Sequence, residues 1–312
     1  MAVLFIVNPQ SATIAKSGSL LNSLYKRNIT SHEVDIALYT IGKDKNLAAR
    51  LTPVTDAPTH IFIEGGDGTV QTVLTEFMRT QTQNKDKQAD FPDVTLVPGG
   101  MTNQIAKNIG LKHRHENAIM AALKGKNIKK RSTAMIEVQQ GQTRQYGFLF
   151  STGAVPMITA FTKNKLHKRG IGGSLAVAGG ILRGVSGRKN DVLHNTTISV
   201  QSGSHDLNED HLGTLVTTLP GLILGLDPFT GTEDAPLRVL YAGQNARNLP
   251  RNAAGLWLGH KEKDRSRDGI LSWNTHGLKY RYDGPAILDG EDITLSGAPF
   301  EIKATQPLNF VY

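Results

Sequence analysis

Residues 61–70 read IFIEGGDGTV: an apolar run stops at a cluster of glycines around one aspartate, and a helical pattern follows. Strand, glycine turn, helix is the feature that most limits what this chain can fold into. The same order returns at residues 97–110, VPGGMTNQIAKNIG. Upstream, AVLFIV at 2–7 reads as a buried strand ending at Asn8-Pro9, EVDIALY at 33–39 as a second strand and HIFIE at 60–64 as a third. Helices are expected over 16–27, with Leu20, Leu21 and Leu24 on one side, and over 43–51 ahead of Pro53. Another is expected over 68–80, with Val70, Val73, Leu74 and Phe77 facing inward. Residues 81–92 read as a polar surface loop, DVTLV at 93–97 as a fourth strand, and the helix after the second glycine turn ends at Gly110. Such alternation predicts an open parallel sheet with helices on both faces.

The pattern changes near residue 128. Residues 132–152 look like a hairpin with turn residues Gln140 to Thr143, and a helical stretch covers about 154–184. From 191 onward short strands dominate: TTISVQ, HLGTLVTTL, PLRVLYA, GILSWN, GLKYRY and EIKAT, with Asp-Gly pairs at 268–269, 283–284 and 289–290 as turns. The expectation is an α/β N-terminal domain with an open parallel sheet over 1–128. A mainly antiparallel β domain follows over 129–312, and its last strand is free to return to the first domain.

Several chemistries drop out. The chain has no cysteine, which removes disulfides, a cysteine nucleophile and a thiolate zinc site. No HExxH motif exists, and His113 and His115 flank Arg114 in an expected loop. GGSLA at 172–176 misses the GxSxG elbow and follows no strand, so a hydrolase is set aside. The N-terminal apolar run has six residues and no basic flank, and nothing approaches a membrane span, so a soluble cytoplasmic protein is expected. The net charge of +8 favours anionic partners. Trp257 and Trp273 read as core or sheet residues; without interleaved aromatics the basic charge does not point to nucleic acid.

A glycine turn between a strand and a helix aims several N–H groups one way, at the positive end of the helix. Glycine there permits positive φ and lets a phosphate approach closely. Thr69 can cap the helix or donate to a phosphate oxygen. Asp67 would repel a phosphate unless a divalent cation stands between them or it bonds a ligand hydroxyl. The plainer reading is a helix-start turn with an aspartate cap. Asn8, Asp67 with Thr69, and Thr102 with Asn103 end three strands at one edge of the sheet. Singly each reads as a cap or turn residue; jointly they describe a nucleotide crevice. Neither GxxxxGK[ST] nor a GxGxxG after the first strand is present.

IVNP at 6–9, GGDGT at 65–69, PGGMTNQIAKNIGL at 98–111, KRGIGGSLAVAGGILR at 168–183 and ILDGE at 287–291 together resemble the diacylglycerol kinase catalytic domain. That superfamily includes bacterial diacylglycerol, sphingosine and ceramide kinases. The resemblance covers nearly the whole chain. It implies a nucleotide-binding α/β domain, a β-rich domain over the lipid, and ATP with Mg2+ as cofactors. On that basis Asn8, Gly65, Gly66, Asp67, Gly68, Thr69, Gly100, Thr102 and Asn103 contact the nucleotide. Asp67 helps hold it or its Mg2+, Asp289 is the general base and Glu291 its neighbour. The implied partner is a membrane lipid alcohol, and a homodimer stays open. NAD kinases share GGDGT and are the alternative enzyme. Departures keep a catalytically weak nucleotide- or lipid-binding protein in play. Met101 stands for the usual Thr, Gln104 for Asp, and Gln71-Thr72 for Asn-Glu. FLFSTGAVP lacks the expected Asn, and GTEDAPLRVLYA replaces an Asp-rich stretch, so metal ligands stay unassigned.

Two segments carry paired readings. LDGE, between AIL and DITL, is a two-residue hairpin turn, and on the resemblance that turn also aims a carboxylate. Residues 163–189 hold seven Lys or Arg and no acid around an apolar helical pattern. They read as a partly buried helix with solvated ends, or as a surface for peripheral contact with an anionic membrane.

Overall fold

The computed structural model describes residues 2–27, 34–51, 57–83, 91–153, 196–203, 205–222, 227–248, 251–252, 265–293 and 295–312. The chain divides into two compact units, Met1–Thr133 with Pro307–Tyr312, and Ala134–Gln306. The helical stretch expected at 154–184, the basic segment 163–189, GGSLA and Trp257 fall outside the described residues.

The first unit is built on strands β1 (Ala2–Val7), β2 (Asp35–Thr40), β3 (His60–Gly65), β4 (Asp93–Pro98) and β5 (Lys130–Thr133). The chain's last strand, β17 (Leu308–Val311), joins them, giving the order β2-β1-β3-β4-β17-β5. All neighbours are parallel except β17 with β5. β1 and β3 are buried almost throughout because they lie inside a sheet covered on both faces. The edge strand β2 alternates instead. Helices α1 (Ala12–Ser17), α2 (Leu20–Lys26), α3 (Leu47–Leu51), α4 (Asp67–Gln83), α5 (Gln104–Ile109) and α6 (Glu116–Leu123) complete the unit. Phe5, Phe62, Val97, Leu21, Leu24 and Ile119 meet in one buried cluster.

Three local expectations change. The helix read over 16–27 is two helices: Gly18 takes φ 76, and Ser19 caps α2 by accepting the Asn22 N–H at 3.0 Å. The helix read over 43–51 begins only at Leu47, since Asp44 turns back to accept the Thr40 N–H at 2.5 Å. The helix after the first glycine turn runs on to Gln83, into what reads as loop.

The second unit is antiparallel throughout its described pairings. Its strands are β6 (Ile136–Gln140), β7 (Thr143–Gly147), β8 (Leu149–Gly153), β9 (Thr196–Ser202), β10 (His205–Thr217), β11 (Leu237–Gly243), β12 (Ile270–Thr275), β13 (Gly277–Tyr282), β14 (Ala286–Leu288), β15 (Glu291–Ile293) and β16 (Phe300–Ala304). Alternating side chains such as Leu278, Tyr280 and Tyr282 face the buried cluster, which includes Trp273.

Candidate active site

β3 and β4 end side by side, with Gly65 in register with Pro98. Each runs into a glycine turn, and the turns press on one another: the Gly99 N–H donates to Gly65 O at 2.8 Å. A Cβ on Gly100 would stand 2.6 Å from Gly66 Cα, one on Gly99 2.7 Å from Ile14 Cδ1, and one on Gly65 2.5 Å from Thr69 Cβ. None of Gly65, Gly66, Gly68, Gly99 and Gly100 has positive φ. Left-handed backbone, one of two reasons the sequence offered for these glycines, is therefore not in use. Gly65 lies against the Thr69 side chain and Gly99 against Ile14, while Gly66 and Gly100 meet backbone to backbone, where a side chain would force the turns apart.

Gly68 is different. A Cβ there would meet nothing within 4 Å, and the residue is exposed in the first turn of α4. Among the described residues, neither packing nor torsion calls for glycine at that position.

The polar groups gather around this edge. Asn8, just past β1, donates from Nδ2 to Thr69 Oγ1 at 2.8 Å, and its Oδ1 accepts the Gln10 N–H at 3.0 Å. Ser11 Oγ lies 3.4 Å from Thr69 Oγ1 and accepts the Gly66 N–H at 3.4 Å. Thr13 reaches the other turn, its N–H bonding Gly99 O at 2.9 Å and its hydroxyl Gly100 O at 3.0 Å. So α1, which begins just after Ser11, lies against both turns. The sequence reading missed Ser11 and Thr13; hydroxyls close behind Asn8-Pro9 were the available signal.

Asp67 opens α4, yet its carboxylate serves α5. Oδ2 accepts the Gln104 N–H at 2.9 Å and Oδ1 the Ile105 N–H at 2.8 Å. The plainer reading made Asp67 the cap of the helix it starts; its carboxylate instead caps a helix 37 residues away. Asn103, at φ 50, closes its own turn: Oδ1 accepts the Gly100 N–H at 2.7 Å and Nδ2 donates to Gly100 O at 2.9 Å. Thr102 is half-buried beside it, and Met101 is 65% exposed. Both Asp67 oxygens accept amide hydrogens, and among the described residues no group of three or more His, Asp or Glu forms a cage for an ion.

In the sequence Glu64 is a single acidic residue at the end of an apolar run. It is 0% exposed. Burying a carboxylate costs several kcal/mol unless partners surround it, and here they do. Oε1 accepts the Leu20 N–H at 3.0 Å and Arg114 Nε at 2.8 Å; Oε2 accepts the Leu21 N–H at 3.1 Å and the Ser19 hydroxyl at 2.5 Å. Arg114 also donates to Ser17 Oγ at 3.1 Å and to Gly18 O.

The remaining expected residues lie in the second unit. Asp289, φ 52, and Gly290, φ 91, form the two-residue turn between β14 and β15. The Asp289 N–H donates to Leu149 O at 2.8 Å, and its carboxylate accepts the N–H groups of Phe148 at 3.0 Å and Leu149 at 2.8 Å. The turn is thereby bolted to the β7–β8 corner. Gly147 leaves the room: a Cβ there would stand 2.8 Å from Asp289 Oδ2 and 2.7 Å from Leu288 Cδ1. Glu291, at the start of β15, is exposed.

Paired strand–turn–helix units at the carboxyl edge of a mostly parallel sheet define an α/β domain with its two glycine turns side by side at one edge. Residues 2–135 match the family model of the diacylglycerol kinase catalytic domain, so the resemblance read from the motifs is borne out over that span. The match supports phosphoryl transfer of the lipid-kinase type and, with it, use of ATP. A Bacillus anthracis str. Sterne protein assigned as a diacylglycerol kinase is 16% identical, with a TM-score of 0.65 over 98% of this chain and 94% of that one. A crystal structure of a diacylglycerol kinase from the same organism is 14% identical, with a TM-score of 0.59 over 100% and 96%. These likenesses show the two-domain fold. No curated protein matches the chain. No described helix is long and apolar enough to cross a membrane.

Proposed function

We propose that the protein is an ATP-dependent kinase acting on a lipid alcohol of the diacylglycerol type. The observation that carries this reading is Gly68. It is bare, exposed and unstrained at the N-terminus of the 17-residue α4, beside the Asn8–Thr69 bond. A ligand at the helix N-terminus supplies the missing reason for a residue without a side chain. The neighbouring amides and the helix dipole select for phosphate. Mg2+ travels with the nucleotide as part of the substrate complex, since the described side chains offer it no cage.

In the proposed reaction the lipid hydroxyl oxygen bonds to the γ-phosphorus while the bond to the β–γ bridging oxygen breaks. ADP leaves, and the hydroxyl proton passes to Asp289. General-base help of this kind contributes about 10²–10⁴-fold. The amides of Phe148 and Leu149 hold that carboxylate in one orientation. Glu291 is the second acid of the proposed site. A lipid acceptor also makes contact with an anionic membrane face part of the proposal.

Incubation with γ-labelled ATP, a lipid extract and NAD decides the matter. Labelled lipid supports the proposal. Labelled NADP replaces it with the NAD kinase reading. Nucleotide binding without any product leaves a binding protein.

A further inference from the structure

We propose that Glu64 and Arg114 are positioning residues for nucleotide binding, acting through α1. This rests on the nucleotide reading of the glycine turns and adds residues that no motif contains.

α1 has six residues, of which only Ile14 is buried. So short a helix has little stability of its own; its place depends on what holds its ends. Its N-terminal end lies on both turns, through Ser11 to Gly66 and Thr69 and through Thr13 to Gly99 and Gly100. At its C-terminal end Arg114 grips Ser17 Oγ and Gly18 O with one guanidinium. That guanidinium is anchored in turn on Glu64 at 2.7 Å. Glu64 immediately precedes Gly65, so the anchor belongs to the strand that carries the first turn. Its backbone oxygen also accepts the Asn8 N–H at 3.1 Å. One buried carboxylate and one arginine therefore tie the far end of α1 to the base of the loop that its near end touches. If only burial mattered, an apolar side chain at 64 would serve at lower cost.

The test uses the full chain, with Arg114→Gln, Arg114→Lys, Glu64→Gln and, as a control, Arg27→Gln, which breaks an exposed pair with Glu116. Calorimetric binding of a non-hydrolysable ATP analogue, ATP KM, kcat and the melting temperature are read together. The expected result is that Arg114→Gln weakens analogue binding and raises ATP KM by about 10- to 100-fold. Over the same change kcat stays within about threefold, the mark of lost binding rather than lost chemistry. Arg114→Lys falls between, because an ammonium reaches Glu64 but cannot also hold Ser17 and Gly18. Arg27→Gln has no effect. Lower melting temperatures with wild-type analogue affinity, or a fall in kcat alone, overturn the inference. Arg114→Lys decides it should the other substitutions fail to fold. A wild-type protein that binds no nucleotide sinks the functional reading itself, a different result from unchanged variants.

Discussion

Gly66 and Gly100, 34 positions apart in the sequence, lie backbone to backbone: a Cβ on Gly100 would stand 2.6 Å from Gly66 Cα. Gly68, two residues on, touches nothing at the same position of its backbone. Opposite outcomes follow. Gly100→Ala overpacks the junction and should cost about 1–3 kcal/mol. Gly68→Ala should leave stability equal or up to about 1 kcal/mol higher, as alanine suits a helix better. It should nonetheless weaken ATP binding by about tenfold, some 1.4 kcal/mol. Denaturant midpoints and nucleotide titration on both variants check the pair. Unchanged ATP affinity in Gly68→Ala would remove the observation on which the nucleotide reading stands.

Asp67 joins the two turns through the amides of Gln104 and Ile105. Asparagine keeps one acceptor oxygen and points an NH2 group at the other amide. Asp67→Asn should therefore lose about 1–2 kcal/mol, the scale of a lost helix cap. It should also raise ATP KM as α5 loosens. The Mg2+ concentration giving half-maximal rate, at saturating ATP, should stay where it is in the wild type. A clear shift in that Mg2+ requirement would return Asp67 to the role of metal ligand that the motif suggested.

The parts of this molecule legible in the sequence are those where one local pattern suffices. AVLFIV and HIFIE need burial on both faces and say so. GGDGT and PGGMTN stand out because glycines rarely crowd between a strand and a helix. What escaped depends on distant partners. Gly18 sits inside a helical pattern, and only its left-handed backbone shows the break. Glu64 reads as one polar letter in an apolar run until Arg114 and the start of α2 close on it. Of the two reasons the sequence offers for these glycines, positive φ is not used, and the contact of Gly66 with Gly100 across 34 residues leaves no local trace. Asp289 looked like a hairpin residue and is one; its bond to the β7–β8 corner, 140 residues away, is invisible without the sheet.

Gly147 gives a way to move Asp289 without touching its chemistry. A methyl group there would press on Leu288 Cδ1 and Asp289 Oδ2. If Asp289 is the base, Gly147→Ala should lower kcat by about 10- to 100-fold through misplacement while analogue binding stays intact. Asp289→Asn should lose about 10²–10⁴-fold in kcat. It should also unfold earlier by about 1–3 kcal/mol, since its NH2 faces the Phe148 and Leu149 amides. Steady-state kinetics beside thermal unfolding separates these effects. Full turnover in a destabilised Asp289→Asn would leave that residue a sheet fastener only.

His60 provides a pH test of the first unit that needs no substrate. It is buried at the start of β3, stacked on Phe62 and hydrogen-bonded to Thr95 Oγ1 at 2.9 Å. Burial pushes its pKa from 6.5 down to about 4, with Lys130 adding to the fall and Asp93 opposing it. The folded protein therefore keeps His60 neutral down to about pH 4, whereas the unfolded chain takes up the proton near pH 6.5. Between those values the unfolded state binds more protons, so stability drops as the pH falls and levels off below about pH 4. At pH 4.5 the loss from this residue is about 2–3 kcal/mol relative to neutral pH. His60→Gln keeps a partner for Thr95 but cannot titrate. Its urea midpoint should decline less than that of the wild type between pH 7 and 4.5, by an amount matching that loss. Parallel curves for the two proteins would mean that His60 takes up its proton at the same pH in the folded and unfolded states.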